Sequence, residues 1–361
     1  MSTLLMTGFP GFVGSALLPR LLARRPGVQA VCLVQTQHVA LARQRVATLT
    51  ETHPHLKGRL QLVEGDITAT DLGICAGADL GDVREVWHLA AVYDLAVESG
   101  VARRVNVDGT NNVLQFCTSR GSMPRLHHVS TCYVSGSHEG IFGEDDLDEG
   151  QVFRNHYEST KWEAEMAVHQ AMADGLPATI YRPGIVVGDS TTGATQKYDG
   201  PYFLAAFLLR QLRLAAVPAV GDPDRVRVSL VPRDFVVDAM DELSVLDTSV
   251  GRTYALTDPD PPTVREVVDT FADHLGKWVV WVRLPLGVTR GLLATVPGME
   301  WLVGFPAESV DYFASPTTYS TTNTRSDLEG SGVVCPPFAD YAATLLEFMR
   351  THPEIDSAAM V

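Results

Sequence analysis

Leu4-Leu5-Met6-Thr7-Gly8-Phe9-Pro10-Gly11-Phe12-Val13-Gly14 takes a short apolar strand directly into three glycines, each separated from the next by two residues. An apolar helical run, residues 16–22, follows. Glycines at this spacing let the chain turn tightly, let backbone approach a pyrophosphate, and let helix pack on strand. The phosphate charge then falls on the positive end of the helix. Strand before and helix after distinguish the stretch from an ordinary glycine-rich turn. The expectation is a dinucleotide site built on Gly8, Phe9, Pro10, Gly11, Phe12 and Val13.

The alternation of strand and helix continues outward from this turn. Apolar runs at 30–34, 60–64, 85–89, 125–129 and 178–181 are separated by segments long enough for right-handed helical crossovers. This predicts an α/β fold with a doubly wound parallel sheet. After Pro183 the rhythm changes. Residues 189–201 read as a polar loop, 202–214 as an apolar helix, 226–231 as a strand, 235–246 as a helix and 253–257 as a strand. Pro261 and Pro262 mark a turn before a helix at 264–275, and an amphipathic helix at 341–349 closes the pattern. The expected organisation is a Rossmann domain from 1–189 plus 232–258. A smaller, mostly helical substrate lobe would come from 190–231 plus 259–361.

Composition narrows the class. The chain has 361 residues, 45% of them hydrophobic and 20% charged, as in ordinary globular proteins. A formal net charge of -15 argues against nucleic acid, which requires clustered positive charge. The most apolar stretches are interrupted by Arg210 and Arg213, and by Arg283 and Arg290, so no transmembrane segment is expected. Five scattered cysteines without a CxxC pair fit reduced thiols rather than disulfides or a metal site. With a strand starting at residue 3 or 4 there is no room for a signal peptide, and a cytoplasmic protein is expected.

Tyr157 and Lys161 lie four residues apart, hence on one helix face. A nearby ammonium favours ionised tyrosine, so the pair is suited to giving or taking a proton. Surface Tyr/Lys pairs share this spacing. The pair gains weight from the glycine turn upstream and from Ser130-Thr131, which directly follow the strand at 125–129. Ligands of doubly wound sheets sit at such carboxyl ends.

With these residues in place, the chain resembles the extended short-chain dehydrogenase/reductases over most of its length. The pieces occur in family order: Thr7–Gly14 as TGFPGFVG, then GDIT from Gly65, HLAA from His88, NVDGT from Asn106, VSTCYV from Val129, YESTK from Tyr157 and YRPG from Tyr181. HLAAVYDL, KWEAE and RPGIVVGDS look most like the branch of thioester reductases, fatty acyl-CoA reductases and polyketide-cluster oxidoreductases. The resemblance implies Tyr157 as general acid/base, with Lys161 binding the nicotinamide ribose and lowering the tyrosine pKa. It makes Thr131, rather than Ser130, the substrate-orienting hydroxyl, and Asn106 a brace or part of a proton relay. Asp66 and Ile67 would flank the adenine, Ala90 and Ala91 would line the cofactor pocket, and Pro183, Gly184 and Ile185 would border the nicotinamide. His88 reads as a buried strand-end histidine. Tyr93, Tyr133, Lys197 and Tyr202 are assigned to substrate, with Asp189 beside them. No metal is implied.

An NAD site usually carries an acid after the second strand. Here Gln35, Thr36, Gln37 and His38 follow it, with Arg43 and Arg45 on the next helical segment. NADP(H) is therefore preferred over NAD(H), with Arg43 on the 2′-phosphate. The similar thioester reductases place arginine where this chain has Gln35.

The expected function is hydride transfer between a nicotinamide and a carbonyl or acyl thioester. A sugar-nucleotide epimerase is the first alternative. A dehydratase is disfavoured because Cys132 and Tyr133, rather than an acidic pair, follow Thr131. A non-catalytic cofactor-binding regulator is the second alternative, opposed by the retained Tyr157 and Lys161. Segments 202–214 and 284–303 are candidate walls of an acyl channel or simply core of the smaller lobe. A free thioester and an acyl carrier are both possible donors, and self-association is equally open.

Overall fold

In the computed structural model, which describes residues 2–93, 97–219, 221–283 and 317–355, the six expected strands and their helices form, with one further short strand between the fifth and the sixth. They run β1 (Ser2–Thr7), α1 (Phe12–Arg24), β2 (Gln29–Val34), α2 (Val39–Thr52), β3 (Leu60–Glu64), β4 (Asp82–His88), α3 (Ser99–Ala102), a π-type turn (Arg103–Asp108), α4 (Gly109–Thr118), β5 (Arg125–Val129) and β6 (Gly140–Phe142). Then come α5 (His156–Ala173), β7 (Ala178–Pro183), β8 (Ile185–Val187), α6 (Pro201–Arg210), β9 (Leu214–Ala219), β10 (Leu230–Pro232), α7 (Arg233–Ser244), β11 (Thr253–Leu256), α8 (Val264–His274), β12 (Trp278–Arg283), β13 (Thr317–Tyr319), α9 (Thr322–Leu328) and α10 (Phe338–Thr351).

The large sheet is parallel and seven-stranded, in the order β11-β7-β5-β4-β1-β2-β3. Its inner strands β1, β2 and β7 are buried along nearly their whole length, which explains continuous apolar runs instead of alternation. From β1 the chain moves outward through β2 and β3, then returns to β4 on the other side. That reversal opens a crevice beyond the carboxyl ends of β1 and β4. One apolar layer joins α1 and α7 to the sheet, and a second joins α4 and α5 to the opposite face.

The later part departs from the sequence expectation in four places. The helix expected over 202–214 ends at Arg210, because Gln211 turns extended, and Leu214–Ala219 becomes strand β9. Its burial alternates with period two, and it pairs in parallel with β12, another unanticipated strand. The strand expected over 226–231 is reduced to Leu230–Pro232, while Arg227 forms an isolated bridge to Thr263. The sequence pattern places residues 317–335 in the smaller lobe, yet α9 packs at the edge of the large sheet. Asp327 accepts bonds there from Arg252 and Tyr254, and Leu328 and Cys335 join the α1–α7 core. A separate apolar cluster is built from α6, α8, α10 and β9. Segment 284–303, the other candidate channel wall, lies outside the described residues. Among those described, no helix is long and apolar enough to cross a membrane.

Candidate active site

The first glycine turn is shaped by close backbone approach. Gly8 has φ +84°, and a Cβ there would sit 2.8 Å from Ala90 N at the end of β4. Cβ atoms on Gly11 and Gly14 would come within 2.7 and 2.9 Å of the Gly8 carbonyl, which already accepts Gly11 N at 2.9 Å. Thr7 Oγ1 ties the two strand ends together by accepting Ala90 N at 3.2 Å and bonding His88 Nδ1 at 2.8 Å. Helix α1 begins at Phe12 without a side-chain cap or an acid in its first turn. Its N–H groups and dipole are thus left to an anion. This cradle fits a dinucleotide pyrophosphate. Gly8→Ala is expected to weaken nucleotide binding at least about tenfold, since left-handed strain alone costs ~1–3 kcal/mol. Calorimetric titration with NADPH checks it, and unchanged affinity would contradict the geometry.

Beyond the carboxyl end of β5, Thr131 is buried and caps a short 3-10 turn, accepting Tyr133 N at 3.3 Å. Asn155 caps α5 by accepting Glu158 N at 3.0 Å, which sets Tyr157 in the first helical turn. There the Tyr157 hydroxyl lies close enough to Thr131 to feel its side chain. Lys161, one turn on, is buried and donates its Nζ to Val129 O at 2.9 Å. Burial lowers its pKa to about 8, opposed by the Glu165 charge.

The expectation that Lys161 lowers the Tyr157 pKa is not met. Instead, burial raises it above the ordinary tyrosine value, Thr131 pulling the other way, while the Lys161 ammonium is directed at the Val129 carbonyl. Ser130 Oγ approaches Glu165, away from Tyr157. Asn106 is a brace. Its amide oxygen accepts Val92 N at 2.8 Å, its amide nitrogen donates to Val92 O and Thr160 Oγ1, and its carbonyl accepts Thr110 Oγ1. His88, fully buried between Thr7 and Thr110, is driven to a pKa of about 3 by burial and by Lys161, so it is neutral.

On the adenosine side, Gln35 Nε2 donates to Asp66 Oδ2 at 3.2 Å, so the ends of β2 and β3 meet. Asp66 also accepts Thr68 N, and Ile67 packs against Gly109 with its carbonyl held by Asn112. Arg43 is exposed on α2. Arg45, two residues on, points elsewhere and feels the charge of Arg233, whose guanidinium stands 4.8 Å above the Phe12 ring. Ala90 and Ala91 close the β4 end. Pro183 ends β7, and a Cβ on Gly184 would lie 2.5 Å from Ser229 O, while Ile185 N donates to that same oxygen.

The proposed substrate residues separate into two groups. Tyr93 is exposed, lies near enough to influence Tyr157, and carries Lys197 over its ring at 4.9 Å; Lys197 also pairs with Asp199 at 2.8 Å. Tyr133 is half-buried two residues beyond Thr131. Tyr202 leaves the substrate set because it is 2% exposed, with its hydroxyl accepting Gly188 N at 2.9 Å in the core of the smaller lobe. Asp189 likewise organises its own loop, accepting Thr191 and Thr192 and pairing with Arg233. No His/Cys/Asp/Glu group suited to a metal occurs among the described residues. The sequence reading missed Arg233, whose position over the α1 start depends on α7 packing, and Glu165, which lies one turn beyond Lys161.

Sheet order, glycine cradle and the Thr131–Tyr157–Lys161 group together define an extended short-chain dehydrogenase/reductase. The chain belongs to the Male sterility protein family of NAD-binding domains, whose profile matches residues 6–240. It is 31% identical over 269 residues to a linear gramicidin synthase of Brevibacillus parabrevis, covering 71% of this chain and 5% of that protein. Glycine betaine reductase ATRR of Emericella nidulans is 29% identical over 306 residues, covering 78% of this chain and 23% of that protein. The chain therefore spans under a quarter of the length of either. The terminal R domain of the myxalamid PKS-NRPS pathway superposes with a TM-score of 0.81 at 26% identity, covering 98% of this chain and 91% of that one.

Proposed function

We propose that this protein reduces an acyl thioester or carbonyl compound with a nicotinamide cofactor. The Thr131–Tyr157 hydroxyl pair at the carboxyl end of β5, one helical turn from the buried Lys161, carries this reading. It is supported by similarity to the R domain and to a protein named as a reductase. The cofactor supplies hydride to the substrate carbon. The chain holds its pyrophosphate at Gly8–Val13, its adenosine near Gln35, Asp66 and Ile67, and its nicotinamide near Pro183–Ile185. Lys161 offers its remaining N–H groups to the ribose. Thr131 and Tyr157 donate to the substrate oxygen, and Tyr157 gives up its proton as negative charge gathers there. Tyr93, Tyr133 and Lys197 border the substrate. The thioester source can be an acyl carrier.

NADPH is the preferred cofactor, because no carboxylate directly follows β2 and Arg43 presents a solvent-facing guanidinium. Arg43→Ala is expected to weaken NADPH about tenfold, the worth of a charge-assisted bond, and to leave NADH unchanged. Equal losses for both cofactors would reverse this assignment.

The function itself is tested by incubating purified protein and NADPH with octanoyl-CoA, octanal, ketones and UDP-sugars. Stoichiometric NADPH oxidation with a thioester or carbonyl is expected. Protein that purifies with tightly held NAD and interconverts a UDP-sugar without net cofactor consumption overturns the reading in favour of an epimerase.

A further inference from the structure

The turn that begins at Thr131 is held from its far side by a residue near the other end of the chain. Thr131 caps the 3-10 turn Cys132–Ser135, accepting Tyr133 N at 3.3 Å, and Val134 N returns to its carbonyl at 3.4 Å. A shift of the turn therefore moves the Thr131 hydroxyl with it. Ser135 ends the turn and is fully buried. Its Oγ shares a hydrogen bond of 3.1 Å with Oη of Tyr319, 184 residues further along the chain. Cys132, first in the turn and buried, lies close enough to the same hydroxyl to feel it. Tyr319 thus stands between the two ends of the turn. Burial pushes its pKa well above the ordinary tyrosine value, so the hydroxyl stays protonated.

The strand that delivers Tyr319 is itself anchored. β13 pairs in parallel with β6, Tyr319 opposite Phe142, and Ser320 N donates to Phe142 O at 3.0 Å. Thr317 Oγ1 donates to the carbonyl of His138, just before β6. The Tyr319 ring packs with Val134, Phe142, Leu147 and Trp162. Trp162 follows Lys161 on α5, and its Nε1 donates to Leu147 O at 2.9 Å. One apolar cluster therefore holds the Thr131 turn, β6 and the helix bearing Tyr157 and Lys161 in a fixed relation. Apolar contacts set the spacing of these parts, whereas a directional hydrogen bond sets the rotation of the turn. Thr131 and Cys132 both bear on the Tyr157 hydroxyl, so the turn forms one wall of the reacting site.

We propose that Tyr319 is a positioning residue for the reduction: its hydrogen bond to Ser135 locks the Thr131 turn and so sets the Thr131 hydroxyl where it donates to the substrate oxygen beside Tyr157. The proposal rests on the reductive reading above. Tyr319 acts through Ser135 and the turn, without touching substrate or cofactor. Its contribution is orientation. A donor must meet the oxygen where charge develops, and a displacement of about 1 Å can cost on the order of 10²-fold in rate. Phenylalanine at this position keeps the ring and its packing but frees the turn to rotate. The loss should then fall on the chemical step rather than on binding, since Thr131 acts most strongly as charge gathers on the oxygen.

Tyr319→Phe and Ser135→Ala each remove one side of the bond. With octanal and NADPH, each is expected to lower kcat about tenfold, while KM for octanal and the affinity for NADPH stay within about twofold. The double variant should lose no more than either single one, because both remove the same bond. In a Thr131→Val background, Tyr319→Phe should have no further effect on kcat. General loss of packing produces the opposite pattern, with losses that add and that persist without Thr131. Independently of turnover, amide hydrogen exchange over residues 132–136 should quicken in both single variants, with exchange in α5 unchanged. Parental kcat in both single variants, additive losses, a Tyr319→Phe loss that persists beside Thr131→Val, or unchanged exchange in the turn would each overturn the proposal. A parent protein that oxidises no NADPH with any carbonyl sinks the reductase reading. The exchange measurement still reports whether the bond holds the turn, so the two failures are told apart.

Discussion

Tyr157→Phe should lower kcat by at least about 10²-fold while leaving NADPH affinity within about twofold, the signature of losing a general acid rather than a binding group. Only the phenolic oxygen is removed. The ring stays in place, α5 keeps its Asn155 cap, and Thr131 keeps the Tyr133 N–H as a partner. Because burial raises the Tyr157 pKa, the phenol stays protonated through the neutral range and is loaded as an acid, the state that reduction needs. Burial lowers the pKa of Lys161, one turn on, to about 8, so its ammonium is lost as pH rises through that value. With Lys161 as the ribose ligand, turnover of the parent should decline above about pH 8. Steady-state rates across pH, with calorimetric titration of NADPH, decide the matter. A phenylalanine variant retaining more than a few per cent of parental turnover would defeat the scheme.

What the sequence reveals about this site follows the range of the interactions. The Gly8–Gly14 turn is local, since its glycines avoid clashes set up within the turn and at the end of one neighbouring strand, so spacing alone exposes it. The Tyr157–Lys161 pair is one helical turn and is equally legible. Arg182 stands in the recognised YRPG stretch, but its partners are the backbone of residues 143–146 and a glutamate on α5, which no local pattern connects. The β9–β12 pairing joins residues 214–219 to 278–283, and short apolar runs of that length resemble buried helix until a partner is known. Tyr202 misled for a related reason. A tyrosine next to a polar loop looks available, and only the fold shows its hydroxyl accepting Gly188 N. Arg43 and Arg45 look interchangeable as phosphate ligands, yet two residues of helix turn them to different sides, and Arg45 goes to Arg233.

Arg182→Leu should destabilise the protein by about 3–5 kcal/mol at neutral pH, the usual cost of breaking one side of a buried ion pair. Arg182 is 1% exposed, and its guanidinium donates to Glu165 Oε1 from Nε at 2.9 Å and Nη2 at 2.6 Å. It also donates to the carbonyls of Gly143, Glu144 and Asp146, fastening the segment after β6 beneath the site. Leucine leaves those carbonyls unmet and strands the fully buried Glu165 carboxylate. Burial alone would raise the Glu165 pKa; the Arg182 charge and its hydrogen bonds instead hold it at about 2, below the ordinary value of 4.5. A depressed carboxylate pKa gives stability that is present above the unfolded value and lost as pH falls from 4.5 towards 2. At ~1.4 kcal/mol per pKa unit this contribution is about 3–4 kcal/mol. Without Arg182, the buried carboxyl prefers its neutral form, so acid relieves the variant while it weakens the parent. The stability gap in urea unfolding should therefore be widest at pH 7 and shrink steadily towards pH 3. Glu165→Gln, which keeps a hydrogen-bonding amide beside Arg182 but removes the charge, should show little of this pH dependence. A gap under about 1 kcal/mol at pH 7, the range of an exposed ion pair, or one that widens on acidification, would mean that Arg182 and Glu165 do not form the buried pair described.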